Sequence, residues 1–159
     1  MFIKSYKLTI GQLLIGVLGL VPCLVWAAPK VLVFDQSTWA TWQQQKKRPH
    51  VLVFSRSDCA HCPAVLKQIA LELKQRHLKA GLGVVLMDGI EVAQAIADEP
   101  YYKVVNQFYA ASVDETKLRY AINPTWPGIT PYVAIMDKRG QLHFVMGPPS
   151  KALFDQTLN

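Results

Sequence analysis

Short apolar runs, rich in β-branched side chains, mark the predicted strands of this chain. The first three runs are apolar along their whole length, as in strands that are buried on both faces. Two further runs flank the turn residues Lys138, Arg139 and Gly140 and predict a hairpin. The predicted strands cover residues 30–34, 50–54, 82–88, 132–137 and 141–147.

Between the strands, apolar residues recur at steps of three and four, which predicts helices. The clearest helix follows Asp58, runs to about Lys79 and is stopped by Gly81. A shorter helix, capped by Ser37 or Thr38, precedes the second strand. The remaining predicted helices are two or three short ones within residues 90–120 and a last one over residues 150–157.

The order of these elements predicts an α/β fold. Parallel strands joined by helices and closed by an antiparallel hairpin give a central mixed β-sheet flanked by helices on both faces. The 159 residues, of which 51% are hydrophobic and 18% charged, suffice for one domain with its own core. We assign this domain to residues 28–159, because the first 27 residues have a different character.

The first 27 residues have the order of a secretory signal peptide. Two lysines precede an apolar run, and Val25 and Ala27 offer small side chains for cleavage after Ala27. An uncleaved membrane anchor is the alternative, since residues 8–25 form a run of 18, close to the length that spans a bilayer. The signal predicts a periplasmic protein that loses Cys23 with the signal and keeps two cysteines.

The formal net charge of +6 is only a mild excess of basic residues. Its densest run, at residues 46–48, is typical of a solvated turn rather than of a nucleic-acid-binding patch. We therefore expect no nucleic-acid partner. The sequence contains no dimerisation segment that we recognise, so a monomer is expected.

Cys59 and Cys62, in the stretch SRSDCAHCPAV, are the candidate reactive groups. Haem attachment is excluded because Pro63, not His, follows the second cysteine. A metal site would need more ligands than two thiolates and His61, although copper could also use a methionine. A purely structural disulfide at this spacing closes a very small loop and restricts the unfolded chain little. Thiol–disulfide exchange, without cofactor or metal, is therefore the favoured chemistry.

The neighbours of the two cysteines favour exchange. A helix that begins at Cys59 would stabilise a thiolate there through its free N–H groups and its positive end. Cys62, one turn inside that helix, would resolve the mixed disulfide, and Pro63 suits a first turn, where a missing N–H costs little. His61 would make the disulfide more oxidising or have no effect, whereas Asp58 would oppose thiolate formation.

Over essentially all of the mature sequence, the chain resembles the thioredoxin superfamily. The resemblance is carried by VLVFSRSDCAHC and by GITPYVAIMDKRGQLHFVMG, in which Pro131 stands where the family has its cis-proline. It implies a cis Thr130–Pro131 peptide bond beside the disulfide, and a Thr130 backbone that pairs with an incoming peptide. A trans turn proline is the alternative. Trp126 and Tyr132 would line this substrate groove or pack in the core.

Within the superfamily, two features indicate opposite directions of electron flow. The segment from Pro131 to Gly140 resembles the exported TlpA-like group, as does a helical insertion between the third strand and the cis-proline loop. The dipeptide Ala60–His61 between the cysteines instead resembles DsbA-type oxidants. The resemblance therefore implies an oxidoreductase whose direction stays open.

Two positions depart from the family pattern. Val53 stands six residues before the first cysteine, where members commonly carry a buried acid, and Asp58 stands where they often carry Trp. The missing acid puts a fast proton acceptor for Cys62 in doubt.

The sequence thus predicts a periplasmic thiol–disulfide oxidoreductase that exchanges disulfides with exported proteins and with a redox partner. Cys59 is the expected nucleophile, Cys62 the resolving thiol and His61 the tuning residue. Two alternatives remain: a membrane-tethered, TlpA-like reductant for a dedicated partner, and a non-enzymatic module that binds copper or a thiol. The expected substrate-binding residues are Thr130, Pro131 and Trp126.

Overall fold

The computed structural model describes residues 31–45, 49–78, 80–112 and 114–159. The predicted signal segment and the basic run at 46–48 lie outside these residues. No helix within the described ranges has the length and apolar character needed to cross a membrane. The elements, in chain order, are β1 (Val31–Phe34), α1 (Gln36–Gln43), β2 (His50–Ser55), α2 (Cys62–Gln75), β3 (Gly81–Leu86), α3 (Ile90–Ile96), a 3₁₀-helix (Pro100–Val104), β4 (Gln107–Ala111), α4 (Glu115–Ile122), β5 (Tyr132–Met136), β6 (Leu142–Met146) and α5 (Lys151–Leu158).

The six strands form one mixed sheet in the order β1-β4-β3-β2-β5-β6. Strands β1 to β4 run parallel to one another, whereas β5 runs antiparallel to β2 and β6 antiparallel to β5. The predicted α/β fold with a central mixed sheet is therefore confirmed. The predicted hairpin is also confirmed.

Strand β2 is central in the sheet and is buried along its whole length. Val51 and Val53 belong to the apolar core on one face, together with α2 and α5, and Leu52 and Phe54 belong to the core on the other face, with α1 and α4. This alternation explains why the run is apolar at every position. It also places the C-terminal end of β2 in a rigid part of the molecule.

The segment between β3 and the cis-proline loop contains a strand, so the prediction of helices alone over residues 90–120 is wrong. Strand β4 lies between β1 and β3, with Phe108 and Ala110 in one core and Tyr109 and Ala111 in the other. The run Gln107–Ala111 lacks β-branched residues. Phe108 and Tyr109 favour a strand but the two alanines do not, so pairing with two neighbouring strands decides the conformation of this run.

Two predicted helix boundaries are also wrong. The N-cap of α1 is Asp35, whose carboxylate accepts a hydrogen bond from the Thr38 N–H at 2.8 Å. Helix α2 ends at Gln75, well before Gly81, because His77 adopts a left-handed conformation with φ 53°. The Leu78 N–H then donates to the Leu73 carbonyl at 3.0 Å, as in a Schellman cap. Helix α2 thus ends at a histidine in the left-handed conformation and not at the glycine that was expected to stop it.

Candidate functional site

The two cysteines follow β2 directly, but α2 begins later than predicted. The chain makes a turn in which the Cys59 N–H donates to the Arg56 carbonyl at 3.1 Å. His61 is the N-cap residue of α2, and Pro63 lies in the first turn of the helix as predicted. The expectation that the helix starts at Cys59 is therefore wrong, since Cys59 lies in the turn just before it.

Cys59 and Cys62 form a disulfide with a Cα–Cα distance of 5.5 Å. Cys59 is partly exposed, whereas Cys62 is only 2% exposed. An incoming thiol or disulfide therefore reaches the sulfur of Cys59 first. Val53, the position of the missing acid, is fully buried in the apolar core on the face that also holds α2.

The two neighbours that were expected to tune the site are both on the surface. His61 is exposed and makes no side-chain capping hydrogen bond. The side chain of Asp58 is 85% exposed and lies 3.9 Å from Nε of Arg56. Both side chains are therefore held only weakly in the disulfide form.

Arg56 is a prominent charged residue of the site that sequence reasoning missed. Its Nη1 donates to Oε2 of Glu115 at 3.0 Å, and its Nη2 lies 3.3 Å from Oδ1 of Asp88. The hydrogen bond to Glu115 is the main cause that raises the pKa of the Arg56 guanidinium. Glu115 is 59 residues further along the chain, so no local pattern could have identified the pair.

Asp88 holds the loop before Cys59 through the backbone as well. Its Oδ2 accepts the N–H of Ser57 at 2.7 Å. Asp88 follows β3, and β3 pairs with β2 up to Ser55 and Leu86. The carboxyl ends of two parallel strands therefore bring Asp88 to the loop between β2 and α2, where its carboxylate holds the backbone N–H of Ser57.

The second loop of the site precedes β5. The Thr130–Pro131 peptide bond is cis, and the Pro131 carbonyl accepts the N–H of Gly147 at 2.8 Å. Tyr132 pairs with Phe54, so Pro131 lies at the same end of the sheet as the residues that follow β2. Thr130 is partly exposed, while Pro131 is buried.

Trp126 packs in the core and is hydrogen-bonded to the second loop of the site. It is only 4% exposed, and its ring stacks on Tyr132 with the centroids 4.5 Å apart. Its Nε1 donates to the Ile129 carbonyl at 3.0 Å. Trp126 and Tyr132 also line a cavity of about 230 Å³ that extends to Phe144 and Met146. Trp126 therefore packs in the core, and its role in a substrate groove stays a prediction.

The side chains around the disulfide do not form an evident metal site. Across the described part of the chain, no group of three or more His, Cys, Asp or Glu side chains is arranged to hold a metal ion. Cys59 and Cys62 are joined to each other instead.

No protein-family model and no curated protein matches this chain. Solved structures match it over most of its length. The thioredoxin domain of a thiol-disulfide oxidoreductase from Bacteroides vulgatus is 15% identical, with a TM-score of 0.53, over 70% of this chain and 77% of that one. A thioredoxin-like protein from Porphyromonas gingivalis is 19% identical, with a TM-score of 0.50, over 70% of this chain and 72% of that one.

The chain has a thioredoxin-like fold. At these identities the likeness establishes the architecture and leaves the chemistry to the residues of the site. In the thioredoxin-like fold of this chain, the Cys59–Cys62 disulfide follows the central strand β2, and the cis Thr130–Pro131 bond precedes the neighbouring strand β5.

Proposed function

We propose that the protein is a thiol–disulfide oxidoreductase that exchanges disulfides with partner proteins through Cys59 and Cys62. The observation that carries the proposal is the disulfide between a partly exposed and a buried cysteine at the start of α2, within a thioredoxin-like fold. An unequal pair of this kind suits stepwise exchange, because only one sulfur meets the partner.

The exchange proceeds in two steps. A partner thiolate attacks the Cys59 sulfur, the Cys59–Cys62 bond breaks, and Cys62 leaves as a thiolate that takes up a proton. A second thiolate of the partner attacks the partner's sulfur in the mixed disulfide, and Cys59 leaves as a thiolate that takes up a proton. The partner then holds a disulfide, and two electrons and two protons have passed to the two cysteines. The same steps in reverse reduce a partner disulfide, and a second redox partner restores the starting state.

The loop before β5 is the proposed contact for the partner peptide. Thr130 is partly exposed and precedes Pro131, at the sheet end that also bears the disulfide. Ile129 and Met146, which are 60% and 54% exposed, give this face an apolar border. Such a surface suits an extended segment of a partner protein rather than a small polar ligand.

Export to the periplasm is part of the proposal. It is supported by the lysines, apolar run and small residues of the first 27 positions. The partners are accordingly expected to be exported proteins with thiols or disulfides. Sequencing the N-terminus of the mature protein tests this part. Cleavage after Ala27 gives a protein that begins at Ala28, whereas an uncleaved anchor leaves Met1 at the N-terminus.

The experiment that tests the chemistry uses Cys62→Ser. This variant should accumulate mixed disulfides at Cys59 in the native compartment, because the resolving thiol is gone. Cys59→Ser is the matched control and should trap little, since Cys62 is only 2% exposed. The proposal is wrong if Cys62→Ser traps nothing and the reduced Cys59 does not react with an alkylating reagent. Tight copper binding by the reduced protein without any exchange would favour a binding module instead.

A further inference from the structure

Glu115 occupies a position that connects two arginines. It is the first residue of α4, after the N-cap residue Asp114. Its Oε2 accepts from Nη1 of Arg56 at 3.0 Å, and its Oε1 lies 3.6 Å from Nε of Arg119 on the next turn of the helix. One carboxylate therefore contacts both guanidinium groups.

Each arginine in turn contacts one loop of the proposed redox site. Arg56 belongs to the first loop, and its carbonyl accepts the Cys59 N–H at 3.1 Å. Arg119 lies against Gly128 in the loop before Pro131, where a Cβ would come within 3.1 Å of its Cζ. Gly128 has φ +88°, a conformation that glycine adopts without the cost of a side chain. The path from Arg56 through Glu115 to Arg119 therefore connects the two loops.

The charges around Arg56 do not cancel. One guanidinium is surrounded by the carboxylates of Asp58, Asp88 and Glu115. Even when the guanidinium of Arg119 is counted with Glu115, the group carries a net negative charge. Cys59 is next to this group, because its N–H donates to the Arg56 carbonyl. A negative environment opposes the conversion of a thiol to a thiolate. His61 is the other titratable side chain of this loop and is exposed.

We propose that Glu115 is a positioning residue of the redox site that holds Arg56 and Arg119, and that its charge disfavours the Cys59 thiolate. The inference rests on the proposed exchange function and assigns a role to a residue outside the Cys-x-x-Cys motif. It predicts that the site is less oxidising than its Ala60–His61 dipeptide alone would indicate. Removing the negative charge of Glu115 should favour the reduced protein and make the site more oxidising. Removing the positive charge of Arg56 should do the opposite.

The test compares two neutral variants by their equilibrium with reduced and oxidised glutathione. Reduction of the disulfide consumes two glutathione thiols and yields one glutathione disulfide and two protein thiols. Glu115→Gln removes a negative charge, so the thiolate is stabilised, the pKa of Cys59 falls and the equilibrium shifts roughly threefold toward the reduced protein. Arg56→Gln removes a positive charge, so the equilibrium shifts in the opposite direction by a similar factor.

Opposite signs distinguish this role from a structural one. If Glu115 and Arg56 merely held the loop together, either substitution would loosen the same contact and the two shifts would have the same sign. Arg56→Lys keeps the charge and should restore most of the wild-type equilibrium. Asp155→Asn is the matched control, because it breaks the ion pair with Arg76 at the C-terminal end of α2. This control should leave the equilibrium unchanged.

The inference is overturned if Glu115→Gln and Arg56→Gln shift the equilibrium in the same direction, or if both match the wild type. The titration of Cys59 alkylation with pH gives an independent readout of the same signs. A wild-type protein whose cysteines do not exchange with glutathione at all would refute the proposed function instead. The two failures are therefore distinguishable.

Discussion

Replacing Val53 by Asp would introduce a buried carboxyl six residues before the first cysteine, at the position where the resemblance to the thioredoxin superfamily leads us to expect one. Val53 is fully buried in β2, and its partners on the neighbouring strands are Val84 and Val133. The new carboxyl would therefore lie in the apolar core on the face of the sheet that also holds α2. Such an environment raises the pKa of a carboxyl, because burial penalises the charged form.

The cost of this substitution has two parts. Loss of a fully buried valine costs about 1.5 kcal/mol or more. If burial raises the pKa of the new carboxyl by about three units, ionising it in the folded protein costs about 4 kcal/mol at high pH, since one unit corresponds to about 1.4 kcal/mol. The second part vanishes when the acid is protonated.

The expected stability therefore falls as pH rises. A raised pKa means that the folded state binds the proton more tightly than the unfolded state, so the acid is tolerated at low pH and destabilises the fold above its unfolded pKa. Between pH 5 and pH 8, Val53→Asp should lose about 2.5 kcal/mol relative to Val53→Asn, which has a similar shape and does not titrate. Urea unfolding of both variants and of the wild type at the two pH values measures this difference.

A second measurement concerns the chemistry. If the family's acid accepts the proton of Cys62, Val53→Asp should resolve mixed disulfides faster than Val53→Asn near the raised pKa. The reasoning about burial would be refuted by a difference in unfolding free energy between the two variants that does not change with pH. Equal resolution rates at all pH values would refute the role of the carboxyl as a proton acceptor.

Two further substitutions test carboxylates that hold local structure. Asp35→Ala removes the N-cap of α1 and should cost about 1 kcal/mol of stability at neutral pH. The Ser37 hydroxyl and the Thr38 N–H hold the pKa of Asp35 at about 2, so this difference should persist down to pH 4 and disappear as the pH approaches 2. Urea unfolding of both proteins over this pH range measures it. Asp137→Asn should cost about 1.5 kcal/mol, because Asp137 accepts hydrogen bonds from His143 and from two backbone N–H groups of the hairpin turn. Burial alone would raise the pKa of Asp137, but these hydrogen bonds outweigh it, so the pKa is lowered. The stability advantage of the wild type should therefore be lost as the pH falls through that lowered value. A urea unfolding midpoint of Asp137→Asn equal to that of the wild type at pH 7 would contradict this prediction.

The sequence by itself determined those elements whose signal is local. The apolar run of β2, the turn residues of the hairpin and the three- and four-residue spacing of α2 each encode their own secondary structure, because a buried strand or helix face imposes its period on the residues. The spacing of Cys59 and Cys62 likewise pointed to the disulfide that the structure contains.

Only the tertiary structure decided the features that depend on distant residues. Strand β4 forms because β1 and β3 supply hydrogen-bonding partners on both sides, although only Phe108 and Tyr109 of its five residues favour a strand. Arg56 gains its role from Asp88 and Glu115, which reach it from the end of β3 and the start of α4. Charge pairs between separate elements leave no period in a sequence, since their geometry exists only after the sheet and helices have packed.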